Sequence, residues 1–175
     1  YRDDVAGWIP WWRAEEGIAD AQKNLSDIDI LYPFVFEVSS DGKLIDKGNL
    51  ASRDWQNLFK KAKRKHAEVI PTVMWFDGDA IHNVLSDKKK RKAHIEEIVA
   101  MVDDGRFDGV NIDYEEKLSE TVDYFSLFLE ELNDALGRDA LSCTIEARTP
   151  PDSRWKEIPK EIKWANDYKE MNRHC

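Results

Sequence analysis

Apolar residues in this chain follow two rhythms that take turns. Short runs that are mostly apolar, at residues 5–12, 28–38, 68–76, 107–115 and 141–148, read as strands. Between them apolar side chains return every three or four positions, as helices require. The sets are Ile18, Ala21 and Leu25; Trp55, Leu58, Phe59 and Ala62; Ile95, Ile98, Val99 and Val102; and Val122, Phe125, Leu129, Leu132 and Leu136. Ser52 and Ser119 stand where helix caps are expected, and Gly137 where a helix ends. Turn residues at Ser40-Asp41-Gly42-Lys43 and Asp77-Gly78-Asp79 separate the runs. Strands alternating with helices of this length predict βαβ units and a parallel sheet, hence an α/β fold in one domain.

One strand differs from the rest. In Phe107-Asp108-Gly109-Val110-Asn111-Ile112-Asp113-Tyr114-Glu115, alternation puts Val110, Ile112 and Tyr114 on one face and Asn111, Asp113 and Glu115 on the other. The second face carries an amide and two acids spaced about 6.5–7 Å apart. Burial alone gives no reason for such a row, because an unpaired charge inside a protein is costly. Two carboxylates one step apart repel, so one tends to keep its proton near neutral pH, as an acid catalyst needs. The competing readings are an acidic strand end and a set of metal ligands.

Composition narrows the partners. The 175 residues carry a net charge of -9 with a pI near 5.0, which argues against nucleic acid or an anionic membrane. The basic run Lys88 to Lys92 is short and heads an amphipathic helix, so it reads as a solvated face. No apolar run approaches about 18 residues, so no membrane span is expected. Cys143 and Cys175 form no metal-spaced set and suggest no disulfide framework; Cys143 reads as a small buried side chain.

Asp108-Gly109-Val110-Asn111-Ile112-Asp113-Tyr114-Glu115 resembles the active-site signature of glycoside hydrolase family 18, the chitinases and related N-acetylglucosaminidases. The family pattern is Asp-Gly-x-Asp-x-Asp-x-Glu on the fourth strand of a (β/α)8 TIM barrel. Asn111 departs from it, as in members resembling the spore-cortex and cell-wall branch. The Ser-x-Gly-Gly element that many chitinases carry after the third strand is absent. Such a barrel typically takes about 250 residues. The expectation is therefore the first five βα units or so, with residues 1–175 a partial catalytic domain lacking its C-terminal strands. The chain opens at Tyr1, and no secretory n-region or h-region is expected within it.

The resemblance implies substrate-assisted retaining hydrolysis, an exception to the two-carboxylate scheme. Glu115 would be the general acid and Asp113 would orient the sugar's acetamide. Asn111 would hydrogen-bond Asp113 without competing for its proton, leaving Asp113 readier to ionise. Asp108 would be structural. Barrel chemistry sits at the carboxyl ends of strands, where Trp11, Trp12, Glu37, Trp75, Asp77, Glu146 and Arg148 fall. The tryptophans suit either a sugar face or the core, and Glu146 and Arg148 either each other or a ligand. The implied partner is an N-acetylated polysaccharide or oligosaccharide, with no cofactor and no metal, and the implied location is secreted or cell-surface. A chitinase-like binding barrel without activity is the alternative, although such proteins usually lose the terminal Glu. A metal hydrolase is a weaker one, since His66, His82, His94 and His174 fall on no strand end beside the acids.

Overall fold

The computed structural model of the protein describes residues 4–145 and 165–175. The strands are β1 (Ala6–Pro10), β2 (Ile30–Val38), β3 (Leu44–Asp46), β4 (Glu68–Val69), β5 (Thr72–Trp75), β6 (Gly109–Tyr114) and β7 (Ala140–Cys143). The helices are α1 (Ala14–Asn24), α2 (Arg53–Lys65), α3 (Gly78–Leu85), α4 (Lys88–Gly105), α5 (Val122–Leu136) and α6 (Tyr168–His174). Short 3₁₀ turns at Trp11–Arg13 and Ser119–Thr121 lead into α1 and α5. The sheet runs β1-β2-β5-β6-β7 with every neighbouring pair parallel, while β3 and β4 also pair with β2. Among the described residues the sheet is open, with β1 and β7 at its edges. This is part of a TIM barrel.

Alternation along the strands makes two environments. Val35, Val73, Trp75, Val110, Ile112, Tyr114 and Leu141 face the helices and form the core with Trp55 and Leu58 of α2, Ile98 of α4, and Phe125, Phe128 and Leu132 of α5. The other face is the concave inside of the barrel. There Trp8 stacks on Tyr32 with ring centroids 5.1 Å apart, and Thr72 meets Asn111.

Several elements differ from the sequence expectations. The third strand is broken at Ile70-Pro71, because Pro71 has no N–H to give a ladder. Its carbonyl still accepts from the Asn111 amide at 2.9 Å. The turn at Ser39–Lys43 closes a hairpin, so β3 returns antiparallel along β2, a connection hidden by the brevity of β3. The eight-residue α3 was too short to show a period, and Asp77 caps it by accepting from the Ala80 amide. Ser52 occupies its cap position without a side-chain cap bond.

The basic run is only partly a solvated face. Asp87 caps α4 by accepting from the Lys89 and Lys90 amides, offsetting cations at a helix end that disfavours them. Arg91 is buried. Its guanidinium grips Glu131 of α5 at 2.8 and 3.2 Å and donates to the Leu85 carbonyl at 2.6 Å. The cysteines are also corrected: Cys143 and Cys175 form a disulfide, with Cα atoms 5.8 Å apart, that joins β7 to the end of α6. Nothing local in either cysteine's neighbourhood encodes that contact, which only the folded chain creates.

Candidate active site

The polar row of β6 rests on a hydrogen-bonded floor. Asn111 Oδ1 accepts from Thr72 Oγ1 at 3.0 Å and from Thr144 Oγ1 at 3.3 Å, while its Nδ2 donates to Ser142 Oγ at 3.0 Å. Thus Asn111 ties β5, β6 and the end of β7 together. These three contacts hold the Asn111 amide against hydroxyls of the neighbouring chain segments. Asp113 is buried at 5 % exposure beside Met74 of β5. Glu115 follows just beyond the strand and is partly exposed, its amide donating to the Trp75 carbonyl at 2.9 Å. The row therefore grades from buried amide to buried acid to accessible acid.

The start of the strand is structural, as expected. Asp108 Oδ2 accepts from the Val69 amide at 2.8 Å, fixing β4 against β6. A Cβ on Gly109 would lie 2.0 Å from the Ala140 carbonyl oxygen, so that position has room for no side chain.

Among the aromatic candidates the structure divides the tryptophans. Trp11 and Trp12 meet edge to face at 5.8 Å, and Trp12 also meets Phe34 at 5.8 Å; both are exposed near the carboxyl ends of β1 and β2. Lys47 Nζ lies 5.2 Å from the Trp11 ring centroid and 3.6 Å from Glu37 Oε2, gathering Trp11 and Glu37 at the same rim. Trp75 does not join them. It is 2 % exposed on the helix side, with Tyr114 5.4 Å and His94 5.4 Å away by ring centroids. This corrects its reading as a sugar platform: its position faces the same way as Val73, into the core. Glu146 and Arg148 lie outside the described residues. Asp77, exposed just past the end of β5, caps α3.

Sequence reasoning missed three residues here. Phe76, exposed beside the end of β5, was overshadowed by Trp75; Lys47 sits on the unforeseen β3 hairpin connection. Lys117 is 1 % exposed, with its ammonium 4.7 Å from the Phe125 ring centroid and donating to the Tyr114 carbonyl. A lysine two residues past the last acid gives no local sign that it folds back. Among the described residues no three His, Cys, Asp or Glu side chains gather at metal-binding spacing. No described helix is long and apolar enough to cross a membrane.

Comparison with known proteins agrees with the fold. No curated protein matches the chain in sequence. In structure it resembles a class V chitininase from Pseudomonas fluorescens Pf-5, with a TM-score of 0.84, 20% identity, and coverage of 99% of this chain and 52% of the other. A chitinase from Chromobacterium violaceum ATCC 12472 gives 0.79 at 15% identity, covering 99% and 54%. The spore cortex-lytic enzyme SleL of Bacillus cereus gives 0.76 at 18% identity, covering 98% and 40%. The chain thus spans about half the length of these structures or less. The family model for glycosyl hydrolases family 18 matches residues 8–175, and the chain belongs to that family.

Proposed function

We propose that the protein carrying this chain hydrolyses β-1,4-linked N-acetylglucosamine-containing glycans, chitin oligomers or peptidoglycan strands, by substrate-assisted retention. The observation that carries this reading is the ordering on β6: Asp113 buried in the barrel's inner face, Glu115 one alternation step further and open to the rim. A buried carboxylate is suited to hold a fixed partner, and an accessible one to pass a proton to a leaving group. Glu115 protonates the glycosidic oxygen as the bond to the anomeric carbon breaks. The substrate's own acetamide oxygen attacks that carbon, and Asp113 orients the acetamide and stabilises the charge on its nitrogen. Glu115, now ionised, takes a proton from the water that opens the oxazolinium ion. Asn111 serves as the floor that fixes this strand in register. Trp11, Trp12 and Glu37 are proposed to meet further sugar units, the tryptophans through their ring faces and the Glu37 carboxylate by accepting from a sugar hydroxyl.

The disulfide between Cys143 and Cys175 supports a protein that matures in an oxidising compartment, and hence a secreted or cell-surface location. The test is incubation of the full-length protein with chito-oligosaccharides and with purified peptidoglycan. Release of reducing ends from either supports the reading. Binding without release would assign a carbohydrate-binding barrel instead, and neither binding nor release would overturn both. In an active enzyme, thiazoline analogues of the oxazolinium ion should inhibit.

A further inference from the structure

Beyond β6 the chain makes a turn that is fastened from three directions. Glu116 has φ 56°, a left-handed conformation that is strained for a residue bearing a side chain. Its carbonyl oxygen lies against Gly78, the first residue of α3, where a Cβ would stand only 2.3 Å from it. Any side chain at position 78 would push the turn away. One residue on, Lys117 reaches back under the face of Phe125 and donates to the Tyr114 carbonyl. Further along, Thr121 Oγ1 lies 3.0 Å from His82 Nδ1, tying the same loop to α3 again.

Burying an ammonium is expensive, and a loop that only had to turn could use a glycine at position 116 and an apolar residue at 117. The peptide joining Tyr114 to Glu115 meets that ammonium. Its carbonyl is held by Lys117, and its amide is held by the Trp75 carbonyl at 2.9 Å. That peptide sets the direction in which the Glu115 side chain leaves the backbone. We propose that Lys117 is a positioning residue for Glu115, with the close approach of Gly78 to Glu116 as the second half of the same clamp. The inference rests on the glycosidase reading for its catalytic meaning, but the clamp itself is a property of the fold. An acid misplaced by about 1 Å can lose about 10²-fold in rate, so a clamp here acts on turnover more than on binding.

The experiment compares Lys117→Met, Lys117→Arg and Gly78→Ala with wild type in the full-length protein. Two readouts are taken: kcat and KM on a chito-oligosaccharide, and native-state amide exchange at Glu115 with Ile112 as the internal control. Met keeps length and fits an apolar site but removes the donor. Lys117→Met is expected to lower kcat about 10–100-fold with KM nearly unchanged, and to speed exchange at Glu115 while leaving Ile112 protected. Lys117→Arg, which keeps a donor, should recover part of the kcat. Gly78→Ala should repeat the kcat loss and the selective exchange at Glu115, and it decides the matter if Lys117→Met does not fold. Wild-type kcat and unaltered Glu115 exchange in the folded variants would overturn the proposal, as would a loss carried by KM alone. If wild type hydrolyses nothing, the glycosidase reading falls and the exchange data still judge the clamp by themselves.

Discussion

The Tyr114 hydroxyl and His94 Nε2 are 2.5 Å apart behind the strand that carries Asp113 and Glu115. Their roles follow from the third partner. His94 Nδ1 is 2.6 Å from the Gly42 carbonyl, which can only accept, so Nδ1 carries the proton and Nε2 accepts from the Tyr114 hydroxyl. Burial holds His94 neutral and brings its pKa down to about 4, opposed by the Gly42 carbonyl and the Glu97 charge and reinforced by Lys43. Burial also pushes the Tyr114 hydroxyl well above its ordinary value. The pair is neutral and anchors the carboxyl end of β6 to the hairpin turn at Gly42.

A pH dependence of stability follows. Between about pH 4 and 6.5 the unfolded chain binds a proton at His94 that the folded chain refuses, so stability rises with pH through that window and is lost as pH falls through it. The gap corresponds to about 3 kcal/mol at this site. Urea midpoints measured at pH 7 and pH 4.5 should differ clearly in wild type. His94→Gln should be less stable at pH 7 and show a flatter dependence; an equal slope would mean that other groups set it.

The two kinds of tryptophan should behave differently on truncation. Trp75→Ala opens a core cavity and should cost about 3–5 kcal/mol of stability, visible as a lowered melting temperature. Trp12→Ala removes an exposed ring and should leave the melting temperature nearly unchanged while raising KM for longer oligosaccharides. A Trp12 variant with wild-type KM would remove that ring from the sugar path.

Reduction should loosen the α6 end specifically. The Cys143–Cys175 bridge spans 32 residues, and bridges of this kind typically contribute about 2–4 kcal/mol by restricting the unfolded chain. Cys175→Ser should lower the melting temperature and raise proteolysis near α6 without moving the acids on β6. An unchanged melt in the oxidised and reduced protein would show that the bridge adds nothing to stability.

How much of this was legible depends on how local each signal is. The two faces of β6 could be read directly, because Asn111, Asp113 and Glu115 break the apolar alternation with polar groups. The face of Trp75 could not: all four residues of β5 are buried, so no exposed position marks which parity faces the helices. The order of the βα units was visible in the periods of α2, α4 and α5, but α3 and β3 are too short to carry one. The floor beneath Asn111 comes from Thr72 and Ser142 on other strands and Thr144 just past β7, and the fastening of Glu115 from Gly78 and Lys117 across turns. Those contacts exist only once the sheet has set its register, and no spacing in the chain announces them.

The roles given to Glu115 and Asp113 can be separated by leaving-group chemistry. Glu115→Gln keeps the shape and removes the transferable proton. General acid–base catalysis typically contributes about 10²–10⁴-fold, so activity on an unactivated oligosaccharide should fall by that order. A nitrophenyl glycoside departs with little protonation, so the same variant should lose much less in the first step on it. Asp113→Asn should damage both substrates similarly, because it acts on the acetamide, and closing the oxazolinium ring needs that help whatever leaves. The measurement is kcat/KM for both variants on both substrates, with circular dichroism to show that each is folded. Since Asp113 is buried beside Met74 and Glu115 is not, Asp113→Asn should also shift the melting temperature more than Glu115→Gln. If both substitutions show the same leaving-group dependence, the division of labour is wrong. If Glu115→Gln is fully active while Glu37→Gln or Glu146→Gln is dead, the acid is a different residue.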